Sequence, residues 1–261
     1  MSDEVTLVTT GRVVTVEINR PHAANAIDSA ARARLYSIFK ELACSADVGA
    51  VVFTGSGKTF CSGADLKGAA TGEVTSRRTA RTLLHDFQPL IECIARMDKL
   101  VIAAVNGAAA GIGMALALAC DLLVMSDTGY FLSPFTTLGL IPDGGAAWHL
   151  VRHLGHQRAL EMLIEGQKLT ATRCLELGIA NRVVGPAELK ANAIAWAAAL
   201  AEKAPIAVSL TKRVVRLSTS VGLSDLLTLE AELQSFCAAT EDSREAIAAF
   251  GAKRRPIFRG C

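Results

Sequence analysis

Between Ala50 and Ser126 the chain alternates short, unbroken apolar runs with stretches of helical spacing, and few folds accept that order. The runs Ala50 to Phe53, Leu100 to Val105 and Leu122 to Ser126 are short, uniformly apolar and rich in β-formers, as strands buried on both faces are. Between the first two, Leu83, Phe87, Leu90, Ile91 and Ile94 recur at helical spacing. Strand, helix and strand in succession predict parallel β-structure with crossover helices. After Asn106 the order repeats: a glycine-punctuated turn, a small-residue helix to Leu118, then the third run.

The flanks fit the same plan. Val5, Leu7 and Thr9 alternate, Thr10-Gly11-Arg12 turns, and Val14, Val16 and Ile18 alternate again, which predicts a hairpin. Asn19-Arg20-Pro21 ends it, and Asp28 is placed to cap a helix running to about Cys44 with Leu35, Ile38, Phe39 and Leu42 on one face. Past Pro142 the spacing predicts helices from Ala146 to Leu154, Gln157 to Gly166 and Ala171 to Leu177, with no further sheet. A nearly all-helical tail follows, in which Pro186 and Pro205 each suit a first helical turn. No internal repeat or low-complexity linker is evident.

At 261 residues and 51% apolar the chain can bury one generous core. A formal net charge of +2 gives no basic excess for nucleic acid and no polybasic segment for a lipid surface. The first ten residues carry acids and alternating β-formers, unlike a secretory signal. Val101 to Met125 is interrupted by Asn106, glycines and Asp121, which predicts a buried segment and not a membrane span. Seven scattered cysteines without a CxxC pair read as free thiols of a reducing cytoplasm. His149, His153 and His156 lie near one another without an accompanying acid, so no metal site is expected. The ending Arg259-Gly260-Cys261 lacks a Ser-Lys-Leu address, which again favours the cytoplasm.

Three stretches carry chemistry. Phe60 to Leu66 and Asn106 to Ala115 are small-residue turns after buried strands, where exposed backbone N–H groups can hold a developing negative oxygen. Each also has a plain local explanation, as a turn capped by Asp65 or as close helix–sheet packing. Two such turns converging on one carbonyl oxygen are what thioester activation requires. The third, Leu138 to Gly145, contains a Pro-Asp-Gly turn. If Asp143 there stands in an apolar pocket wall, desolvation would raise its pKa and suit it to proton transfer.

In order and spacing these blocks resemble the enoyl-CoA hydratase/isomerase (crotonase-like) superfamily. The likeness runs from Arg20-Pro21 and Asn25-Ala26 through Phe60 to Leu66, Asn106 to Asp121 and Leu138 to Gly145, closing at Phe250 to Phe258. It implies an α/β fold: a crotonase-like ββα spiral core over residues 1–185 and a C-terminal helical trimerisation region over 186–261. It implies an acyl-CoA thioester substrate, with coenzyme A part of that substrate and no separate cofactor or metal. Transferred by position, the oxyanion-hole amides fall on Ala64 and Ile112, with Gly111 and Gly113 flanking the second and Gly111 counted in that turn. Ala24, Asp65 and Leu66 would line the path of coenzyme A. Phe250 and Lys253 match positions that approach it from the same or a neighbouring subunit. The assembly implied is a homotrimer or a dimer of trimers.

The chain departs from the hydratase pattern at the two catalytic glutamates, whose positions align with Ala115 and Phe135. Asp143 remains, where isomerases and some dehalogenases of the superfamily place an acid. One carboxylate suits a proton shuttle better than the positioning and deprotonation of water. The resemblance therefore favours an isomerase that moves a double bond, as from 3-enoyl-CoA to 2-enoyl-CoA. The alternatives are a hydratase, an isomerase of aromatic acyl-CoA rings or epoxides, a dehalogenase and a non-catalytic acyl-CoA-binding scaffold. The region Ala69 to Thr82, with Arg77, Arg78 and Arg81, is expected to shape the acyl pocket, with its arginines on a solvated face.

Overall fold

A computed structural model describes residues 4–65 and 76–261. In chain order the elements are β1 (Val5–Thr10), β2 (Val13–Ile18), α1 (Ser29–Cys44), β3 (Ala50–Gly55), β4 (Thr59–Cys61) and α2 (Ser76–Thr82). A π-helical turn, Leu83–Phe87, leads into α3 (Gln88–Arg96), then β5 (Leu100–Val105), β6 (Ala108–Ala110), α4 (Ile112–Ala119), β7 (Leu122–Ser126) and β8 (Tyr130–Leu132). The remainder is α5 (Ala146–Leu154), α6 (His156–Glu165), β9 (Leu169–Thr170), α7 (Ala171–Glu176), β10 (Arg182–Val184), α8 (Leu189–Ala201), α9 (Pro205–Leu217), α10 (Leu223–Ala238) and α11 (Glu241–Gly251).

Two sheets result. The larger has the order β1-β2-β3-β5-β7-β10, parallel except for the β1–β2 hairpin. The smaller has the order β4-β6-β8-β9, with only its last pair antiparallel. Three strands of the first sheet are each followed by a short strand of the second: β3 by β4, β5 by β6, β7 by β8. This repeated β-β-α step is invisible as sequence similarity because its marks are corners. Gly107, between β5 and β6, is one: a Cβ there would collide with the Lys58 carbonyl.

The apolar runs are buried on both faces, as their uniformity requires. Val51 and Phe53 of β3 point into the main core with Leu35 and Phe39 of α1, where Phe53 meets Phe39 and Phe60 edge to face at 5.3 Å. Ala50 and Val52, one residue out of phase, face Leu189, Ala193 and Ala197 of α8. Asp28 caps α1, its Oδ1 accepting the Ala31 N–H at 2.8 Å.

Two expectations change. The sheets do not end before Pro142, since β9 and β10 each add an edge strand, too short to leave a periodic signal. Pro186 lies in the turn ahead of α8, whose first residue is Leu189, whereas Pro205 does occupy the first turn of α9. A division at residue 185 falls just before α8, a helix that closes the second face of the larger sheet. Among the described residues no single helix is long and apolar enough to cross a membrane.

Candidate active site

Arg20 and Asn25 build the first wall. Asn25 is fully buried in a left-handed conformation, and its side chain accepts the Arg20 N–H and donates to the carbonyls of Ser56 and Thr59. Arg20, 8% exposed, holds Asp28 at 2.7 Å and Asp65 at 3.3 Å on its Nη2 and donates to the Ala26 carbonyl. These bonds tie the segment around Ala24 to the end of β4.

The segment after β4 runs alongside Ala24 to Ile27. Ser62 N–H donates to Ala24 O at 3.1 Å, Ile27 N–H to Gly63 O at 2.8 Å and Asp65 N–H to Ile27 O at 3.0 Å. Because the Gly63 carbonyl points at Ile27, the trans peptide turns the Ala64 N–H away from it. On its other flank, β4 pairs with β6. A Cβ built on Gly63 would lie 3.2 Å from Ala110 O and 4.0 Å from Ile112 N. The two small-residue turns therefore adjoin.

Ile112 opens α4, where first-turn N–H groups lack intrahelical acceptors. Among the described residues, neither the Ala64 nor the Ile112 N–H donates a turn or loop hydrogen bond. Gly111, expected with them, is different: its N–H is spent on Leu132 O at 3.1 Å, because β6 hands on to the turn while still beside β8. It contributes a positive φ of 53° and not a donor.

The Asp143 loop closes against the same helix. A Cβ on Gly144 would come within 2.7 Å of the Ala115 Cβ and would collide with the Ile112 Cδ1. Phe135 is buried, with its ring 3.7 Å from the Cβ position of Gly111. Asp143 is half-buried, its Oδ1 has no hydrogen-bond partner, and burial pushes its carboxyl up to about 6.

Asp143 and Gly144 border a cavity of about 1040 Å³ between α3 and α9, walled by Leu84, Phe87 and Ile91 on one side and Leu210 and Leu217 on the other. Among the described residues its lining includes neither Ala64 nor Ile112, but Gly144, which does line it, abuts the Ile112 side chain. Helix α9 is pinned in place by Lys212, which donates to Met97 O at 2.6 Å and to Lys99 O and pairs with Asp121 at 2.6 Å, and by Arg216, at 2.8 Å from the same carboxylate.

Of the other expected residues, Ala24 adjoins Ser62 through its carbonyl, Asp65 is held by Arg20, and Leu66 lies outside the described residues. Phe250, largely exposed, and Lys253 lie on and just past α11, which packs on α10. Of the stretch 69–82, residues 69–75 are outside the described residues. Arg77, Arg78 and Arg81 are exposed, and among the described residues the first in the chain to line the cavity is Leu83. The pinning of α9 and the presence of His149 in the cavity wall were not anticipated; only the amphipathic spacing of the tail hinted at the first. Cys61, buried beside the turn and pushed up to about 12, is not a nucleophile.

Fold and turns together define a two-sheet α/β spiral that brings two strand-end turns and an acid-bearing loop onto one helix. The enoyl-CoA hydratase/isomerase family model matches residues 9–260. The chain is 36% identical over 260 residues to a probable enoyl-CoA hydratase of Rhizobium meliloti, covering 99% of each. It is 33% identical over 251 residues to the 1,2-epoxyphenylacetyl-CoA isomerase of Escherichia coli, covering 95% of each. An enoyl-CoA hydratase structure from Bacillus anthracis superposes with a TM-score of 0.94 at 30% identity, covering 99% of this chain and 100% of that one. The chain belongs to the enoyl-CoA hydratase/isomerase family and has its crotonase fold.

Proposed function

We propose that this family member is an acyl-CoA isomerase that shifts a double bond, with Asp143 as its single acid/base. The observation that carries the reading is the contact of the Asp143–Gly144 loop with Ala115, while Phe135 stands over Gly111. At the two positions that align with the hydratase glutamates this chain presents apolar side chains, Ala115 against Gly144 and Phe135 against Gly111, beside the loop that bears the aspartate. Names ending in hydratase predominate among the relatives, and they favour the alternative that water is added. The 1,2-epoxyphenylacetyl-CoA isomerase is a relative of comparable identity.

In this mechanism the thioester oxygen accepts from the Ala64 and Ile112 N–H groups, each worth about 3 kcal/mol of enolate stabilisation. Asp143 removes a proton from the carbon next to the carbonyl of a 3-enoyl-CoA. The electron pair moves into the enolate, and the same carboxyl returns a proton two carbons further along, leaving the 2-enoyl-CoA. Coenzyme A would pass Ala24 and Asp65. The C-terminal helices would join subunits of a homotrimer or a dimer of trimers, a role supported by the exposed Leu223, Phe236 and Ile247 and tested by native mass.

The test is incubation with 3-enoyl-CoA and 2-enoyl-CoA in deuterated water. Bond migration with label uptake is expected; predominant 3-hydroxyacyl-CoA would overturn the isomerase in favour of a hydratase. Binding without either product would point to the scaffold.

A further inference from the structure

Of the polar side chains that line the cavity the proposed mechanism uses Asp143, yet His149, a little further along the chain, lines it too and is unemployed. His149 lies in the first turn of α5, its N–H bonded to Gly145 O at 3.1 Å, so the glycine pair that places Asp143 also places the imidazole. Its ring lines the same cavity, half-buried, and meets Trp148 edge-on at 4.7 Å. Trp148 is itself held from another side by the Arg152 guanidinium, 3.5 Å from its ring. The imidazole orientation is thus set by packing. Among the described residues no hydrogen bond to the imidazole accompanies that packing.

Burial, with His153, Arg216 and Arg152 as the charged neighbours, pushes His149 down to about 4, so the ring is neutral near pH 7. A neutral imidazole has one N–H donor and one acceptor nitrogen. His149 lines this cavity together with Gln88, Ser209 and Arg216 as well as leucines and phenylalanine, and a hydrocarbon acyl chain would engage neither of its nitrogens. An oxygen on the chain would, since a hydroxyl both donates and accepts.

Resting on the proposal that Asp143 acts on an acyl-CoA, whose chain would then extend into the cavity that Asp143 borders, we infer that His149 is a specificity-determining residue that hydrogen-bonds an oxygen substituent on the distal part of the acyl chain. The preferred substrates are then oxygen-bearing acyl-CoA esters, hydroxylated or oxo-substituted, and not plain fatty acyl chains. His149 takes no proton from the reacting carbons; its part is selection.

Binding of saturated esters tests this without any turnover. Hexanoyl-CoA would be compared by calorimetry with derivatives carrying a hydroxyl on the fourth, fifth or sixth carbon, using wild type, His149→Leu and His149→Gln. At least one hydroxylated ester should bind wild type about tenfold more tightly than hexanoyl-CoA. His149→Leu should abolish that preference, hexanoyl-CoA then binding it at least as tightly as any hydroxylated ester, and His149→Gln should restore part of it. Equal binding of all esters by wild type, or a preference that survives in His149→Leu, would overturn the inference while leaving the acyl-CoA reading intact. Failure of every ester to bind wild type would overturn both.

Discussion

Gly113, on the first turn of α4, rests on Cys61 at the end of β4: a methyl on its α-carbon would lie 2.7 Å from the Cys61 Cβ and 2.8 Å from its Sγ. This contact sets how closely the Ile112 turn sits beside the Gly63–Ala64 turn. Gly113→Ala must push helix and strand apart, and overpacking of this kind costs about 1–3 kcal/mol. Moving one oxyanion donor out of line should lower kcat by about a hundredfold or more. Chemical denaturation and steady-state kinetics on the purified variant would read both. Full turnover by Gly113→Ala would show that the spacing of the two turns is not what activates the thioester.

Arg20 neutralises Asp28 and Asp65 across the gap between the Ala24 segment and the end of β4. Arg20→Met leaves those two carboxylates facing each other and removes the donor to Ala26 O. Breaking a buried pair typically costs about 3–5 kcal/mol, and lysine cannot reproduce the fork. Because Ala24 and Asp65 flank the proposed coenzyme A path, KM should rise about fivefold or more, with kcat changed less. A variant with native KM and a native urea midpoint would refute the assignment of Arg20 as the tie.

Asp121 takes Lys212 on one oxygen and Arg216 on the other, and its Oδ2 also accepts the Val101 N–H. Burial raises the Asp121 pKa and lowers that of Lys212, opposed in each case by the partner. With Asp121→Asn the Lys212 ammonium would remain buried without its counter-charge, a loss of about 3–5 kcal/mol. The damage should be local first, since α9 is what these groups hold. Hydrogen exchange should quicken across Pro205–Leu217 well before it does in β5. Uniform protection in α9 would mean that apolar packing alone retains it.

Much of this arrangement was legible beforehand. The strands β3, β5 and β7 and the capped helix α1 declare themselves because each buries a continuous face, so every residue reports the same environment. The second sheet does not, since β4, β6 and β8 span three residues each, too few for periodicity. Their turns read correctly as small-residue junctions, yet only three dimensions reveal that Gly111 N–H is already engaged by Leu132 while Ile112 N–H is not. Asp143 was legible through an acid in an apolar block. His149 was not, because a histidine on an amphipathic helix looks alike whether it faces solvent or a cavity.

The carboxyl of Asp143 gives the sharpest pH test. Burial lifts it from the ordinary 3.8 to about 6. A base must be ionised in the free enzyme, so kcat/KM for isomerisation should climb with pH through a midpoint near about 6 and level off above it. Asp143→Asn should lose about a hundredfold to ten-thousandfold in kcat, show no such step, and bind the CoA ester as before. Stability runs in the opposite sense. A carboxyl whose pKa is raised on folding gives its full stability below about 4, where it is neutral in both states, and loses that stability as pH rises through about 6. The displacement corresponds to at most about 3 kcal/mol, and partial exposure reduces this to about 1–2 kcal/mol. Asp143→Asn escapes that penalty, so relative to wild type it should gain stability between pH 4 and pH 8 by that amount. Urea midpoints at the two ends of the range measure it, and a difference that does not change with pH would place the carboxylate in open water and remove it from the cavity wall.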